Sequence, residues 1–345
     1  MRDLPILGAE TWLRVPRYRV ECSRCGPRLE ALEWLAPYAR VTRRLAESVA
    51  RLCAVLPIKQ VAEFYGLGWD AVKAIDQAWL REGLGPVDLS EIEVIALDEF
   101  ALHRGQRYAT LVVDPRRKRV LWVGHGRGQE DLRPFFELLG PEGCARLKAA
   151  VMDMWDPYAA GIRHWCPNAE IVYDRFHLMA LYGREVIDRV RIDEANRWRE
   201  DRAARRLIKG SRWLLLRRPE HLTGEQERVR LRELLEANRA LMIVYVLKED
   251  LSRLWECRSR EAAIALFDEW IERAQESGIA PLIRFVKKLR RHFHGILAHC
   301  RWPLNTSLLE GMSNKIKVIK RMAYGFRDHE YFFLKIRAAF PGIPG

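Results

Sequence analysis

Between residues 91 and 180 the chain switches between two apolar periods, one of two residues and one of about 3.6. The shorter period predicts strands and the longer one predicts helices. In chain order the segment predicts three strands, a helix, a strand, a helix and a last strand. The predicted strands are 92–100, 108–113, 119–123, 149–152 and 170–173, and the predicted helices are 130–139 and 157–164.

This order, with the first three strands antiparallel, is that of a ribonuclease H-like α/β domain. Residues 89–180 would form the first part of its core. Residues 181–300 show helical periodicity with few strand signals. Because a structureless loop of that length is implausible in a compact domain, we expect an all-helical insertion there. Residues 301–345 would then supply the final helix of the core.

Residues 36–88 have a helical pattern of their own. A short amphipathic helix from Ile58 is followed by the turn Gly66-Leu-Gly68 and by a second helix from Trp69. Spacing alone fits a helix-turn-helix and any other helical hairpin equally well. The apolar residues that would pack the two helices together are Ala62, Leu67, Val72 and Ile75.

Arginines just upstream of these helices favour a DNA-binding helix-turn-helix, because nucleic-acid-binding domains concentrate positive charge. They are Arg40, Arg43, Arg44 and Arg51. The second helix carries Trp69 and Lys73, which are therefore candidate DNA contacts.

The first 35 residues contain a closely spaced cysteine pair, Cys22-Ser-Arg-Cys25. A Cys-x-x-Cys knuckle is half of a tetrahedral zinc site. The other half is missing, since no histidine precedes His103 and Cys53 lies in an apolar helical run typical of a core thiol. We expect residues 1–35 to be a zinc-knuckle-like remnant, with Zn²⁺ binding left open.

The chain of 345 residues has a formal net charge of +13, which indicates a polyanionic partner such as DNA, RNA or an anionic membrane surface. A hydrophobic content of 49% argues against disorder. No run approaches the roughly 20 apolar residues of a membrane-spanning helix, and the N-terminus lacks the apolar core of a signal peptide. These features favour a cytoplasmic, nucleoid-associated protein. The seven cysteines, an odd number, are expected to be reduced.

Carboxylates occur near the ends of predicted strands, where buried charge is costly unless it is paired or binds a metal. Asp98 lies in the first strand, within Ile-Ala-Leu-Asp-Glu-Phe-Ala-Leu, and Asp153 directly follows the fourth. In a ribonuclease H-like sheet these two strands are neighbours, so the two acids converge. Glu310, on a late helix, would complete a site for two Mg²⁺ ions about 3.5–4 Å apart, as phosphodiester chemistry requires.

Each of these acids also has an ordinary explanation. Asp98 could mark an exposed strand end, Asp153 could cap the following turn, and Glu310 could be a first-turn acid favoured by the helix dipole. Their joint occurrence at the three required places favours the metal site.

Two nearby acids are alternatives within this site. Asp156 could replace Asp153, and Glu99 could replace Asp98. Because side chains alternate along a strand, Asp98 shares a face with Ala96 and Glu99 points the other way, which favours Asp98.

The last predicted helix separates an apolar stripe from a polar face. The stripe consists of Leu309, Met312, Ile316 and Ile319. The polar face consists of Glu310, Asn314, Lys317 and Arg321. A carboxylate, an amide and cations on one face suit both a metal ion and a phosphate backbone. The candidate DNA contacts on this helix are Lys315, Lys317, Lys320 and Arg321.

Four long stretches are specific enough to suggest a family. They are Asp98-Glu-Phe-Ala, Met152-Asp-Met-Trp-Asp-Pro-Tyr158, Tyr173-Asp-Arg-Phe-His177 and Glu310-Gly-Met-Ser-Asn-Lys-Ile-Lys-Val-Ile-Lys-Arg-Met-Ala-Tyr-Gly-Phe326. They resemble the bacterial insertion-sequence transposases of the ISL-three family. The similarity spans almost the whole chain and includes Tyr245-Val-Leu-Lys-Glu-Asp250.

The resemblance implies a DDE transposase that cuts DNA at the ends of an insertion sequence and joins the ends to target DNA. It implies a triad of Asp98, Asp153 and Glu310 that binds two Mg²⁺ ions, for which Mn²⁺ can substitute, with Asn314 as a supporting residue. The DNA partners would be terminal inverted repeats and target DNA, bound by a homodimer or a larger assembly.

The resemblance also gives Asp174 and His177 a role. Related transposases carry Cys or Asp, two further residues and His after the fifth strand, beside the active site, and these two residues match. Asp174 could instead simply cap the next helix.

Family members usually have a further cysteine pair upstream, and this sequence begins after it. Truncation and loss of the zinc knuckle are both open. Two other functions are compatible with the residues, a DNA-binding transposase remnant without catalysis and a stand-alone ribonuclease H-like nuclease.

Overall fold

The structure is a computed structural model that describes residues 1–36, 39–103, 105, 107–217, 219–222, 224–304 and 307–343. It divides into two compact units. The first unit comprises Met1–Asp88 and Met312–Ile343, and the second comprises Leu89–Gly311. The predicted division into five regions is finer than this and stays a prediction.

Two short hairpins begin the first unit. Strands β1 (Arg2–Ile6) and β2 (Ala9–Trp12) pair antiparallel, as do β3 (Arg19–Cys22) and β4 (Gly26–Leu29). The cysteine pair lies at the turn of the second hairpin.

Three helices follow, α1 (Arg43–Cys53), α2 (Ile58–Tyr65) and α3 (Trp69–Leu84). Gly66 ends α2 with a φ of 62°, a left-handed conformation that glycine adopts without strain. Both predicted helices and the predicted turn are therefore present. The core between the helices consists of Leu45, Val49, Cys53, Val61, Ala62, Tyr65 and Val72, with Leu67 and Ile75 partly buried against it.

The second unit contains a five-stranded mixed sheet. Its strands are β5 (Val94–His103), β6 (Arg107–Asp114), β7 (Arg119–His125), β8 (Ala149–Met152) and β9 (Glu170–Tyr173). Their order in the sheet is β7-β6-β5-β8-β9, with β5 and β6 and then β6 and β7 antiparallel, and β5, β8 and β9 parallel. The apolar alternation thus located all five strands, and the ribonuclease H-like classification stays a prediction.

Parallel neighbours require crossover connections, and helices supply both of them. Helix α4 (Arg133–Arg146) connects β7 to β8, and α5 (Asp156–Trp165) connects β8 to β9. A 3₁₀ turn, Glu130–Leu132, precedes α4 where the sequence predicted a single helix over 130–139. Helix α4 also continues past that range, across a kink at Gly140, where a φ of 72° precedes Pro141.

In the described residues between β9 and position 300 the chain forms eight α-helices and no strand. They are α6 (Arg175–Tyr182), α7 (Asp188–Arg197), α8 (Arg202–Lys209), α9 (Arg212–Leu216), α10 (Glu225–Ala237), α11 (Arg239–Ser252), α12 (Arg260–Glu276) and α13 (Ala280–Leu297). One hydrophobic core joins them around Tyr182, Trp270 and Phe285. Within this core the Trp270 indole N–H donates to the Leu247 carbonyl at 2.7 Å.

Helices α14 (Ser307–Met322) and α15 (His329–Ala339) end the chain. Helix α14 begins in the second unit and ends in the first. Of its predicted apolar stripe, Leu309, Met312 and Ile316 are buried and Ile319 is partly buried. Among all the helices in the described ranges, none has the length and apolarity needed to cross a bilayer.

Candidate active site

The register of the parallel strands aligns three aspartates. Ala96 of β5 pairs with Val151 of β8, and Val151 pairs with Val172 of β9. Each of these paired residues is followed two positions later by an aspartate, and the three are Asp98, Asp153 and Asp174. The backbone N–H of Asp174 still donates to the Met152 carbonyl at 3.0 Å, so the pairing of β8 and β9 reaches this level. We call these three residues the acidic row.

The backbone fixes the first two members of the row. The Asp98 carboxylate accepts a hydrogen bond from the Glu99 N–H at 2.9 Å, and the Asp153 carboxylate accepts one from the Met154 N–H at 2.6 Å. Asp98 is buried, with 8% of its surface exposed, and Asp153 is half-buried. Asp98 is therefore not an exposed strand end, the ordinary explanation that the sequence left open.

The third member of the row binds a histidine. Asp174 caps α6, because its Oδ1 accepts from the Phe176 N–H at 2.8 Å, and its Oδ2 lies 2.8 Å from Nδ1 of His177. Asp174 thus both caps the helix, as the ordinary explanation has it, and contacts the histidine of the motif that suggested the family.

Burial opposes the protonation of His177, but the bond to Asp174 and the charges of Asp153, Asp174 and Asp98 outweigh it. Together they raise the pKa of His177 to about 9. The histidine is therefore a cation at neutral pH. It lies within electrostatic reach of all three acids of the row.

Glu99 lies within the same electrostatic field. Burial raises the pKa of this carboxyl, and the charges of Asp98 and Asp153 raise it further, while Arg127 and His177 oppose the shift. An Arg127 Nη1 lies 3.7 Å from Glu99 Oε1. A bound cation would offset the negative charge that raises the pKa of Glu99.

Arg127 is a site neighbour that the sequence pattern did not reveal. Its guanidinium lies 3.9 Å from the centre of the Tyr108 ring and 4.6 Å from that of Trp155. The Trp155 indole N–H in turn donates to the Arg127 carbonyl at 2.8 Å. Two aromatic rings therefore hold this cation beside Glu99.

The loop that carries Arg127 is shaped by two glycines. Gly126 has a φ of 82°, and a Cβ at this residue would lie 2.0 Å from the Asp131 carboxylate. The Gly128 N–H donates to the same carboxylate at 2.7 Å. The only signal in the sequence is the triplet Gly-Arg-Gly after a strand, which indicates a tight turn and not the role of its arginine.

Glu310 lies in the first turns of α14 and is exposed. It lines a cavity of about 850 Å³ whose other walls come from α6, α9 and α11 and include Arg175, Phe176 and Trp213. In the described ranges no three His, Cys, Asp or Glu side chains form a group that could hold a metal ion. The structure thus aligns Asp98 with Asp153 and does not join Glu310 to them in one metal-binding group.

The predicted DNA contacts of α14 belong to the first unit. Lys315 donates to the Ala339 carbonyl at 2.7 Å, and Lys317 donates to the Asn314 side chain at 3.3 Å. Asn314, Lys315, Lys317 and Arg321 are exposed, and Lys320 is half-buried.

The candidate contacts on α3 differ in exposure. Trp69 is 49% exposed, whereas Lys73 is half-buried and forms an ion pair with Asp328 at 2.8 Å. Lys73 therefore also connects α3 to the start of α15.

The cysteine pair has one property of a metal ligand. A backbone hydrogen bond from Arg24 and then the Cys25 thiol lower the pKa of Cys22, which favours the thiolate that metals bind. No third Cys, His, Asp or Glu side chain joins the pair in a metal-binding group, as far as the described ranges go. Cys53 is a buried core thiol.

Two family models match the chain. One, the DDE model of ISL3 with the description "Transposase", matches residues 95–336. The other, "Helix-turn-helix domain of transposase family ISL3", matches residues 30–80, which include α1, α2 and most of α3.

Curated relatives agree with these models. The chain is 54% identical to the transposase for insertion sequence element IS1001 of Bordetella parapertussis, over 99% of the chain and 84% of that protein. It is 28% identical to the transposase for insertion sequence element IS1557 of Mycobacterium tuberculosis (strain CDC 1551 / Oshkosh), over 100% of the chain and 83% of that protein.

Proposed function

Since this chain belongs to the ISL3 family of DDE transposases, we propose that Asp98, Asp153 and Glu310 are the carboxylates with which it cuts and joins DNA. The observation that supports this most is the strand register, which aligns Asp98 with Asp153 across β5 and β8. The ordering of the sheet, three antiparallel strands followed by two parallel ones, supports a ribonuclease H-like core.

DDE transposases use divalent metal ions, and the residues present fit such an ion in part. Asp98 and Asp153 offer neighbouring hard oxygen donors. Burial and then the charges of these two aspartates raise the pKa of Glu99, and a cation would offset the part due to charge. We propose two Mg²⁺ ions, with Mn²⁺ as a substitute and Glu310 as the third ligand. Bound metal would activate water and neutralise the charge that develops on the phosphate.

The neighbouring side chains have separate tasks in this proposal. His177, held as a cation by Asp174, would stabilise negative charge on the phosphate oxygens of the bound DNA. Arg127 would hold the DNA backbone, and Asn314 would support the position of Glu310. Lys315, Lys317, Lys320 and Arg321 would bind phosphates further along the DNA.

The helix-turn-helix region matched at residues 30–80 would bind the terminal inverted repeats, with Trp69 among its contacts. Because two element ends must be brought together before they are joined, a homodimer or a larger assembly on DNA is part of the proposal. Zn²⁺ at Cys22 and Cys25 would need ligands beyond those the described ranges bring together.

Substitution of the acids tests the assignment. Asp98→Asn and Glu310→Gln are each expected to lower Mg²⁺-dependent cleavage of a labelled element end at least about 10³-fold, since loss of a metal ligand removes several kcal/mol of transition-state stabilisation. Binding of the same DNA should stay nearly unchanged. The matched control is Asp156→Asn, because Asp156 is an exposed acid three residues from Asp153. This variant should retain cleavage.

The products separate the alternatives. With element end, target DNA and Mg²⁺, a transposase yields a joined product, a stand-alone nuclease yields cut ends alone, and a binding remnant yields only a complex. Retained cleavage in Asp98→Asn, or loss of cleavage in Asp156→Asn, would overturn the residue assignment. The membership of the chain in its family would still hold.

A further inference from the structure

Helix α13 has an unusual charge pattern. Its 18 residues, APLIRFVKKLRRHFHGIL, include five Lys or Arg and no Asp or Glu. One side of the helix is apolar and buried, through residues such as Leu282, Phe285 and Leu289. The charge is therefore concentrated on the opposite side.

The exposed cations form one continuous stripe, because residues three and four apart are neighbours on a helix. We call this set the α13 stripe, and it consists of Arg284, Lys287, Arg290 and Arg291, all exposed. Within the described part of the chain, no acidic side chain forms an ion pair with any of the four. Lys288, which is half-buried, does form one, with Glu185 at 2.6 Å.

Some other exposed arginines of the second unit are paired with acids. Arg197 pairs with Glu194 at 3.1 Å, and Arg253 and Arg273 pair with Asp250 at 3.7 and 2.6 Å. Like charges at i and i+4 destabilise a helix by a few tenths of a kcal/mol per pair. The α13 stripe therefore lowers the stability of its own helix, and a polyanionic ligand would reverse that effect.

A glycine fixes the position of α13 on the sheet. A Cβ at Gly295 would lie 2.3 Å from the Tyr173 ring, so the helix can approach the end of β9 only because none is present. The rings of His292 and His294 also contact the Tyr173 ring, with centroids 5.2 and 5.6 Å away. The carboxyl end of α13 thus lies against the residue that precedes Asp174 of the acidic row.

The stripe extends away from that point. Arg284 precedes Arg291 by seven residues, which corresponds to about 10 Å along a helix. Over that length one strand of a DNA duplex presents about three phosphates. The four cations and these phosphates are therefore similar in number.

We propose that the α13 stripe binds the phosphate backbone of a DNA duplex whose end lies at the acidic row. This inference rests on the proposed function, because it takes the DNA near the row to be the substrate. It assigns a DNA-binding role to the helical region between β9 and α14. Since the stripe would contact phosphates alone, it would bind DNA without regard to sequence.

The triple variant Arg284→Gln/Lys287→Gln/Arg291→Gln tests the stripe in the full-length protein. Its affinity for a duplex of unrelated sequence should fall at least about tenfold at 0.1 M salt. The slope of log K against log salt should become shallower by about 0.9 for each phosphate that the variant no longer binds, and so by about 2 to 3 in total. Fluorescence anisotropy over a series of salt concentrations measures both quantities.

The matched control is Arg197→Gln/Arg253→Gln/Arg273→Gln, which removes the same charge from ion-paired arginines of the same unit. Equal losses of affinity in the two variants would overturn the proposal, because only net charge would then matter. An unchanged salt slope in the stripe variant would also overturn it. Circular dichroism and thermal unfolding check that both variants fold.

Binding and cleavage fail independently in this design. If the stripe variant binds like the wild type while the wild type cleaves element ends, the stripe proposal is wrong and the proposed function stands. If the wild type cleaves no element end but the stripe variant shows the weaker affinity and the shallower slope, the stripe binds duplex DNA, while the proposed function and the link from the stripe to the acidic row are wrong.

Discussion

Two nearly buried aspartates, one in each unit, have opposite surroundings. Asp76 in α3 is 1% exposed and lies 2.9 Å from the Lys335 ammonium, and it also accepts a hydrogen bond from the Tyr331 hydroxyl. Asp98 is 8% exposed, and after the effect of burial its charge and that of Asp153 raise the pKa of Glu99. In the first case one ammonium lies directly beside the acid, and in the second several acids share the nearby charges of His177 and Arg127.

The difference separates an architectural acid from one that we propose binds a ligand. Lys335 also donates to the Cys53 carbonyl at 2.6 Å, so one ammonium joins α15 to both α1 and α3. Burial and the charge of Asp76 raise the pKa of Cys53 to about 12, which keeps this thiol protonated. A set of carboxylates that repel one another has no such structural benefit, and it is retained where a cation or a cationic substrate group binds.

Replacement of Asp76 should have the largest effect on stability. Asp76→Ala leaves the half-buried Lys335 without its carboxylate, and the free energy of unfolding of the first unit should fall by about 3–5 kcal/mol. Asp76→Leu combined with Lys335→Met should recover most of this loss, because an apolar pair needs no countercharge. Urea denaturation of the full-length protein measures both.

Asp98→Asn provides the contrast in the same assay. Because it removes one of several like charges, it should lower stability by no more than about 1 kcal/mol. If Asp98→Asn destabilised the protein as much as Asp76→Ala does, both aspartates would be architectural and the distinction between them would fail.

Gly295→Ala should have the next largest effect. The added methyl group would meet the buried Tyr173 ring, and overpacking of this kind costs about 1–3 kcal/mol. Because Tyr173 precedes Asp174, we also expect cleavage activity to fall. Thermal unfolding and the cleavage assay measure these two effects.

Gly83→Ala in α3 is the control, since no atom lies within 4 Å of the added Cβ. This substitution should stabilise its helix by about 0.5–1 kcal/mol. A Gly295→Ala variant that was equally harmless would show that close contact between α13 and β9 is not needed.

The sequence predicted the acidic row because the signals involved are local. Apolar alternation located all five strands, and strand order then required β5 and β8 to be neighbours. The register that aligns Asp98 with Asp153 comes from the structure, in which Ala96 pairs with Val151. Asp174 and His177 were found by resemblance alone, since nothing in their spacing separates a helix cap from a site residue.

Other features depend on contacts between distant residues, which periodicity does not report. Asp76 and Lys335 are 259 positions apart, and neither position looks unusual in its own helix. Arg127 lies in a loop whose glycines predict a turn without indicating what its side chain contacts. The position of Glu310 depends on the packing of α14, a helix that belongs to both units. The polar face of α14 that the sequence predicts therefore does not fix the distance of Glu310 from the acidic row.

The smallest predicted effect concerns Asp328, which caps α15 through the Tyr331 N–H at 3.0 Å and pairs with Lys73. The hydrogen bond from Lys73 and then that from the Tyr331 N–H lower the pKa of this carboxyl. A carboxyl whose pKa is lower in the folded state stabilises the protein above its unfolded pKa of about 3.9, and the benefit disappears as the pH falls. Asp328→Ala should therefore lower the free energy of unfolding by about 1 kcal/mol at pH 7, and its difference from the wild type should shrink in acid.

Asp328→Asn is the control, because it retains the cap and loses the ion pair. Urea denaturation should show that it lowers the free energy of unfolding by only a few tenths of a kcal/mol. A loss as large as that of the alanine variant would assign the effect to the charge.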